Sequence, residues 1–133
     1  MKVLVVDDQR SMRMISMSVA KSLGHEAIEA ACGQDAIDIC ASEKVDLILM
    51  DVEMPGLNGF EATKKIREQT KIWFPIIFVS AKTDPKFFTE GIQSGGDIYL
   101  FKPIIPEVLE AMIKAMQRIA SIQDELHSTK IKM

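Results

Sequence analysis

The sequence predicts an α/β domain built on one parallel sheet, and three observations predict it. Short apolar runs alternate along the chain with stretches of helical period. Four of those runs stop on a polar group: Val3 to Val6 on Asp7 and Asp8, Leu47 to Met50 on Asp51, Pro75 to Val79 on Ser80, and Ile98 to Phe101 on Lys102 and Pro103. The runs lack polar alternation, as expected of strands buried on both faces.

The elements follow in order. Lys2 to Val6 is the first strand. From Ser11 to Leu23, Met12, Ile15, Val19 and Leu23 recur at three- and four-residue spacing, which gives a helix with one apolar stripe, and Gly24 stops it. His25 to Ala30 is a more polar strand, expected at the sheet edge. Gly33 precedes a second helix with Ala36, Ile37, Cys40 and Ala41 inward. Asp46 to Met50 is the third strand, Pro55-Gly56 opens a loop, and Gly59 to Glu68 is the third helix. Pro75 to Val79, Pro85 to Gln93 and Ile98 to Phe101 are the fourth strand, fourth helix and fifth strand, with Gly95-Gly96 breaking the helix.

The last helix is expected from about Ile105 to Leu126. Ile105, Leu109, Met112, Met116, Ile119 and Leu126 step by four and three, with Gln123 in the one polar slot, which is a heptad seam. A helix closing such a sheet needs only about twelve to fifteen residues. The division expected is therefore a domain over 1–118 and an extension of the last helix over 119–133, a coiled-coil linker or tail. A merely long terminal helix with a frayed end is the other reading.

With 133 residues the chain makes one domain, and a formal charge of -3 disfavours a basic face that grips nucleic acid. No apolar run is long enough to cross a bilayer, and the N-terminus leads straight into a strand, so a cytoplasmic location without membrane contact is expected. Cys32 and Cys40 form no CxxC and have no nearby His, and are read as reduced, packed thiols. His25 and His127 are read as surface residues, Lys64, Lys65 and Arg67 as the solvated face of the third helix, and Trp73 and Phe74 as packing beneath a loop. Met12 belongs to the core stripe of the first helix; Met14 and Met17 fall off it and suit a partner-docking surface.

Ligands of an open parallel sheet bind beyond the carboxyl ends of its strands. Asp7, Asp8 and Asp51 should converge there, and two carboxylates four ångströms apart repel by about 4 kcal/mol at an effective dielectric of 20. Such a cluster requires a cation or a shared proton. Hard oxygen ligands in a small open site favour magnesium. With Lys102 and Ser80 on the same edge, a carboxylate nucleophile flanked by metal, ammonium and hydroxyl is suited to forming an aspartyl phosphate.

From Lys2 to about Ala115 the chain resembles the receiver domains of two-component response regulators, of the chemotaxis-regulator type. The resemblance rests on Val5-Val6-Asp7-Asp8, on Asp51 with Met54-Pro55-Gly56 and Gly59, on Ser80-Ala81, and on Asp97 to Pro103, in that order and spacing. It implies a doubly wound, flavodoxin-like five-stranded sheet of order 2-1-3-4-5 with helices on both faces. It implies that Asp51 accepts a phosphoryl group from a sensor histidine kinase or histidine phosphotransfer protein. Magnesium would be held by Asp8 and Asp7, with Asp51 and the main-chain carbonyl of Glu53. Lys102, aimed by a cis bond to Pro103, would pair with phosphoryl oxygens. Ser80 would be the switch hydroxyl and Tyr99 the aromatic that moves with it. Glu53 and Lys82 fall at positions that set phosphoryl lifetime in the family, and an ion pair between them over the pocket is expected to impede hydrolysis; a solvated pair without effect is the alternative. Two residues depart from the family's habit: Gly96, where Ala is common, and Phe101, where a small polar residue usually precedes the lysine.

The function expected is a phosphorylation-activated switch that turns over no external substrate. It would be the receiver part of a larger regulator, with a homodimer formed through the last helix, or else a stand-alone regulator acting through protein binding. Three other classes compete: a flavin carrier, disfavoured because Asp7-Asp8 stands where a phosphate-cradling loop is needed; an aspartate-nucleophile phosphatase, with Glu53 in the general-acid place; and a degenerate receiver used only for binding.

Overall fold

The computed structural model describes the backbone of residues 1–132 and the side chains through Leu126. Five strands and five helices alternate: β1 (Lys2–Val6), α1 (Arg10–Ser22), β2 (Glu26–Ala30), α2 (Gly33–Ser42), β3 (Leu47–Asp51), α3 (Gly59–Gln69), β4 (Ile76–Ser80), α4 (Pro85–Ser94), β5 (Ile98–Phe101) and α5 (Pro106–Lys132). All strand pairs are parallel, in the order β2-β1-β3-β4-β5. The expected architecture and strand order are therefore those observed. Strand ends differ from expectation by a residue, since Asp51 and Ser80 close β3 and β4 as their last residues instead of following them.

Side chains of a strand alternate between faces, and here both faces are buried. Val3, Val5, Leu47, Leu49, Ile77 and Val79 meet Val19 and Ala20 of α1 and Leu109, Ile113 and Met116 of α5. Leu4, Val6, Ile48, Met50, Ile76, Phe78 and Tyr99 meet α2 and α3 through Ala36, Ile37, Phe60, Ala62 and Ile66. The two clusters explain why the central strands read as unbroken apolar runs. The polar edge strand β2 is exposed at Glu26 and Glu29.

Local signals set the helix ends. Asn58 and Glu61 form a reciprocal capping box at the start of α3, Cys32 Sγ accepts from Asp35 N to open α2, and Asp84 caps α4 ahead of Pro85. Gly95 ends α4 at φ +114°, a conformation side chains rarely adopt. Cys32 and Cys40 are unpaired, and burial pushes the Cys40 thiol up to about 11, so it packs as an inert apolar group.

Several expectations need correction. The buried line of α1 is Ser16, Val19 and Ala20; Ile15 is exposed, and Met17 packs on the core. The small side chains of Ser16 and Ala20 face the sheet, which turns the helix about one residue away from its apolar stripe. Ala41 is exposed instead of inward. His25 is half-buried, with Nδ1 3.3 Å from the N-terminal amine, instead of lying on the surface. The side chain of His127 lies outside the described residues. On α5 the core contact is made by Leu109, Met112, Ile113 and Met116, while Ile105, Ile119 and Leu126 of the seam are exposed.

Arg67 is the largest departure. It is not solvated with Lys64 and Lys65: it donates to the carbonyls of Gly95 and Phe74 and pairs with Asp97 at 3.0 Å. Asp97 in turn accepts from Ile76 N and Trp73 Nε1, so one ion pair ties the amino end of β4 to the loop before β5.

Candidate functional site

Strand register assembles the site. Val6 lies opposite Met50, so the next residue, Asp7, falls beside Asp51 at the end of β3. Asp51 lies opposite Val79, which sets Ser80 one step further at the end of β4. Ser80 lies opposite Phe101, and the Lys102 amide donates to the Ser80 carbonyl at 2.8 Å. The bond from Lys102 to Pro103 is cis.

Carboxylate oxygens of Asp7, Asp8 and Asp51 lie within 4.8 Å of one another. Asp7 and Asp51 are buried and Asp8 is exposed, so the cluster opens to solvent on the Asp8 side. Lys102 Nζ stands 3.2 Å from Asp51 Oδ1 and 3.4 Å from Asp7 Oδ2. Burial pulls the lysine's pKa down, but the two carboxylates outweigh it and the net shift is upward, so the ammonium stays charged. Burial, then the charge of Asp7, pushes the Asp51 carboxyl up to about 7, with Lys102 opposing. One ammonium does not neutralise three carboxylates. An all-oxygen, one-sided, undercompensated cluster suits a small hard divalent cation.

Ser80 is fully buried, and its Oγ accepts from Lys82 N at 3.0 Å. Tyr99 is buried too, packed near Phe78, Phe88 and Phe101, and its hydroxyl donates to the Lys82 carbonyl at 2.9 Å. The expected ion pair exists: Lys82 Nζ is 3.6 Å from Glu53 Oε2, with both side chains about half exposed. Asp7, Asp8, Asp51, Glu53, Ser80, Lys82 and Lys102 are thus brought together at this carboxyl edge, and Tyr99 reaches it through its hydroxyl.

Two neighbours escaped sequence reading. Arg13 donates from Nη1 to the Asp7 carbonyl at 2.8 Å and pairs with Glu29 at 2.9 Å, fixing the loop that carries the two aspartates. Its position one turn into α1 was the available signal. Phe87, on α4, lines a groove of about 470 Å³ with Glu53, Met54, Asn58, Phe60 and Lys82. Nothing local in the sequence marks it.

This fold and edge define a class, and comparison with known proteins agrees. Residues 3–114 match the response regulator receiver domain family, and the chain belongs to that family. It is 36% identical over 121 residues to the alkaline phosphatase synthesis transcriptional regulatory protein PhoP of Bacillus subtilis, covering 91% of this chain and 50% of PhoP. It is 35% identical over 115 residues to the transcriptional regulatory protein AfsQ1 of Streptomyces coelicolor, covering 86% of this chain and 50% of AfsQ1. The chain thus spans about half the length of the curated relatives it matches. Among solved structures it resembles the chemotaxis protein CheY4 of Vibrio cholerae, with 34% identity, TM-score 0.82, and coverage of 86% of this chain and 97% of that one. Among the described residues no helix is long and apolar enough to cross a membrane.

Proposed function

We propose that this chain is the switch of a two-component pathway in the cytoplasm, and that Asp51 is its phosphoacceptor. The observation that carries the reading is Lys102 Nζ poised between Asp51 and Asp7 at 3.2 and 3.4 Å within the three-carboxylate cluster. An Asp51 oxygen attacks phosphorus on the phosphohistidine of a sensor kinase or histidine phosphotransfer protein. The P–N bond breaks, and the imidazole keeps the electron pair and takes up a proton. Lys102 pairs with the phosphoryl oxygens as charge shifts toward them. Asp7, Asp8 and Asp51, with the main-chain carbonyl of Glu53, would hold Mg²⁺, which when bound neutralises the carboxylates and screens the incoming phosphoryl charge. No external metabolite is turned over.

Ser80 and Tyr99 act as the switch: a new phosphoryl group draws the Ser80 hydroxyl toward Asp51 and releases the Lys82 amide. Glu53 and Lys82 slow hydrolysis by standing over the opening. Met14 and Ile15 on α1 and Phe101, Ile105 and Val108 by α5 are exposed apolar side chains suited to the kinase and to partners. The domain runs over 1–118, and 119–133 serve as a connector through which two copies pair within a larger regulator, a reading supported by the chain's spanning about half the length of PhoP and AfsQ1. With a formal charge of -3, this segment makes no direct contact with nucleic acid. A stand-alone regulator acting through protein binding is the second reading, favoured by the 97% coverage of CheY4.

The test is intact mass after incubation with a small phosphodonor, with and without magnesium. A single phosphoryl adduct that needs magnesium and is lost in Asp51→Asn supports the assignment. An adduct that survives in Asp51→Asn refutes it.

A further inference from the structure

Lys82 is held at four points. Its amide donates to Ser80 Oγ and its carbonyl accepts from the Tyr99 hydroxyl. Its ammonium stands 3.6 Å from Glu53 Oε2 and 5.8 Å from the ring centroid of Phe87. Ser80 and Tyr99 therefore grip the main chain of the same residue whose ammonium pairs with Glu53 and faces the Phe87 ring. Glu53 and Lys82 each follow a strand-end residue of the site by two positions, Asp51 on β3 and Ser80 on β4, and those strands are neighbours.

An exposed ion pair alone holds a long lysine side chain weakly. The Phe87 ring is different in kind, because it is half-buried and packs against the core cluster. An aromatic face within about 6 Å of an ammonium adds an attraction that an aliphatic side chain lacks. Lys86 Nζ lies 5.2 Å from the same centroid, so the ring gathers two cations at the rim of the groove, near Glu53 and Glu90.

We infer that Phe87 is a positioning residue for phosphoryl lifetime: its ring holds Lys82 across the opening above Asp51 and so ties the rate of hydrolysis to the placement of α4. The inference rests on the reading of Asp51 as phosphoacceptor. In the step it controls, water attacks phosphorus, the P–O bond to Asp51 breaks, the carboxylate returns, and the water's proton leaves with phosphate or solvent. A partner that docks on α4 and shifts Phe87 would change the lifetime without touching the acceptor.

The experiment phosphorylates the full chain with acetyl phosphate and magnesium, removes the donor, and follows loss of the adduct by intact mass. Wild type is compared with Phe87→Leu, Phe87→Trp, Lys82→Ala and the Phe87→Leu/Lys82→Ala pair. Phe87→Leu keeps apolar bulk and loses the ring face, and is expected to speed decay about two- to five-fold. Phe87→Trp should decay no faster than wild type, and the double variant no faster than Lys82→Ala. Wild-type decay in Phe87→Leu, or an equal acceleration by Phe87→Leu in the Lys82→Ala background, overturns the role of Phe87 while leaving Asp51 as acceptor. Absence of any adduct on Asp51 overturns the underlying assignment and this inference together.

Discussion

Gly96 and Phe78 share one volume. A Cβ on Gly96 would fall inside the van der Waals envelope of the Phe78 ring, with Cδ2 at 2.7 Å. Phe78 is fully buried and meets Phe60 edge-on at 5.1 Å, so the ring has nowhere to retreat. The family's common Ala is thus excluded here by a large β4 side chain. Gly96→Ala is expected to destabilise by about 1–3 kcal/mol, the usual cost of overpacking. Adding Phe78→Leu should return part of that loss, and urea unfolding of the four-member cycle measures it. Strictly additive effects would show that the two positions do not compete.

Asp51 carries a pH dependence of known sign. In the metal-free protein its carboxyl is pushed up to about 7 by burial and then by Asp7, from an ordinary value of 3.8. Between those values the folded chain holds a proton that the unfolded chain has lost. Stability therefore falls as pH rises through that window, and the penalty is complete above it. Asp51→Asn removes the penalty and should stabilise the metal-free protein at pH 8 by on the order of 2 kcal/mol. The gain should shrink toward zero near pH 4. Urea midpoints at both pH values decide it, and an equal gain at each would exclude titration as the cause.

The Arg67 clamp predicts a large effect far from the acceptor. Its side chain is 18% exposed and serves two carbonyls as well as Asp97. Arg67→Ala leaves the half-buried Asp97 carboxylate without its counter-charge and removes the donor to two carbonyls, and is expected to cost about 2–4 kcal/mol. Arg67→Lys should not restore the loss, since an ammonium cannot span the three acceptors in one plane. Thermal unfolding checks both variants. A Lys variant as stable as wild type would reduce the clamp to a simple charge pair.

These cases mark where sequence reading succeeds and stops. The site was legible because each strand run ends on its functional residue, and parallel register then brings Asp7, Asp51, Ser80 and Lys102 to one edge. Arg67 was not, because its polar neighbours Lys64 and Lys65 suggest solvent while its partner Asp97 lies 30 residues away. The buried face of α1 is hidden in the sequence because Ser16 and Ala20, which lie on it, are too small to stand out beside Met12 and Ile15. Phe87 reads as one of two adjacent phenylalanines on a helix, and only the folded loop shows that it, and not Phe88, meets Lys82.

The extension of α5 separates stability from association. Among the described residues Met116 is the last α5 side chain in the core, whereas Ile119, Ile122 and Leu126 are 43%, 56% and 54% exposed. These three lie three and four residues apart, on the stripe that a second parallel helix would cover. Among the described residues beyond Arg118 none joins the core, so truncation there should change the unfolding free energy by less than about 0.5 kcal/mol. If α5 pairs two copies, the same truncation abolishes concentration-dependent association in sedimentation velocity. Ile119→Ser, Ile122→Ser and Leu126→Ser together should reproduce that loss in the full chain, because they delete the apolar stripe while keeping the helix length. Each buried apolar side chain of this size contributes about 1.5–3 kcal/mol, enough for three per helix to shift a weak equilibrium measurably. Sedimentation unchanged by either variant would exclude α5 as the pairing element and favour the stand-alone reading.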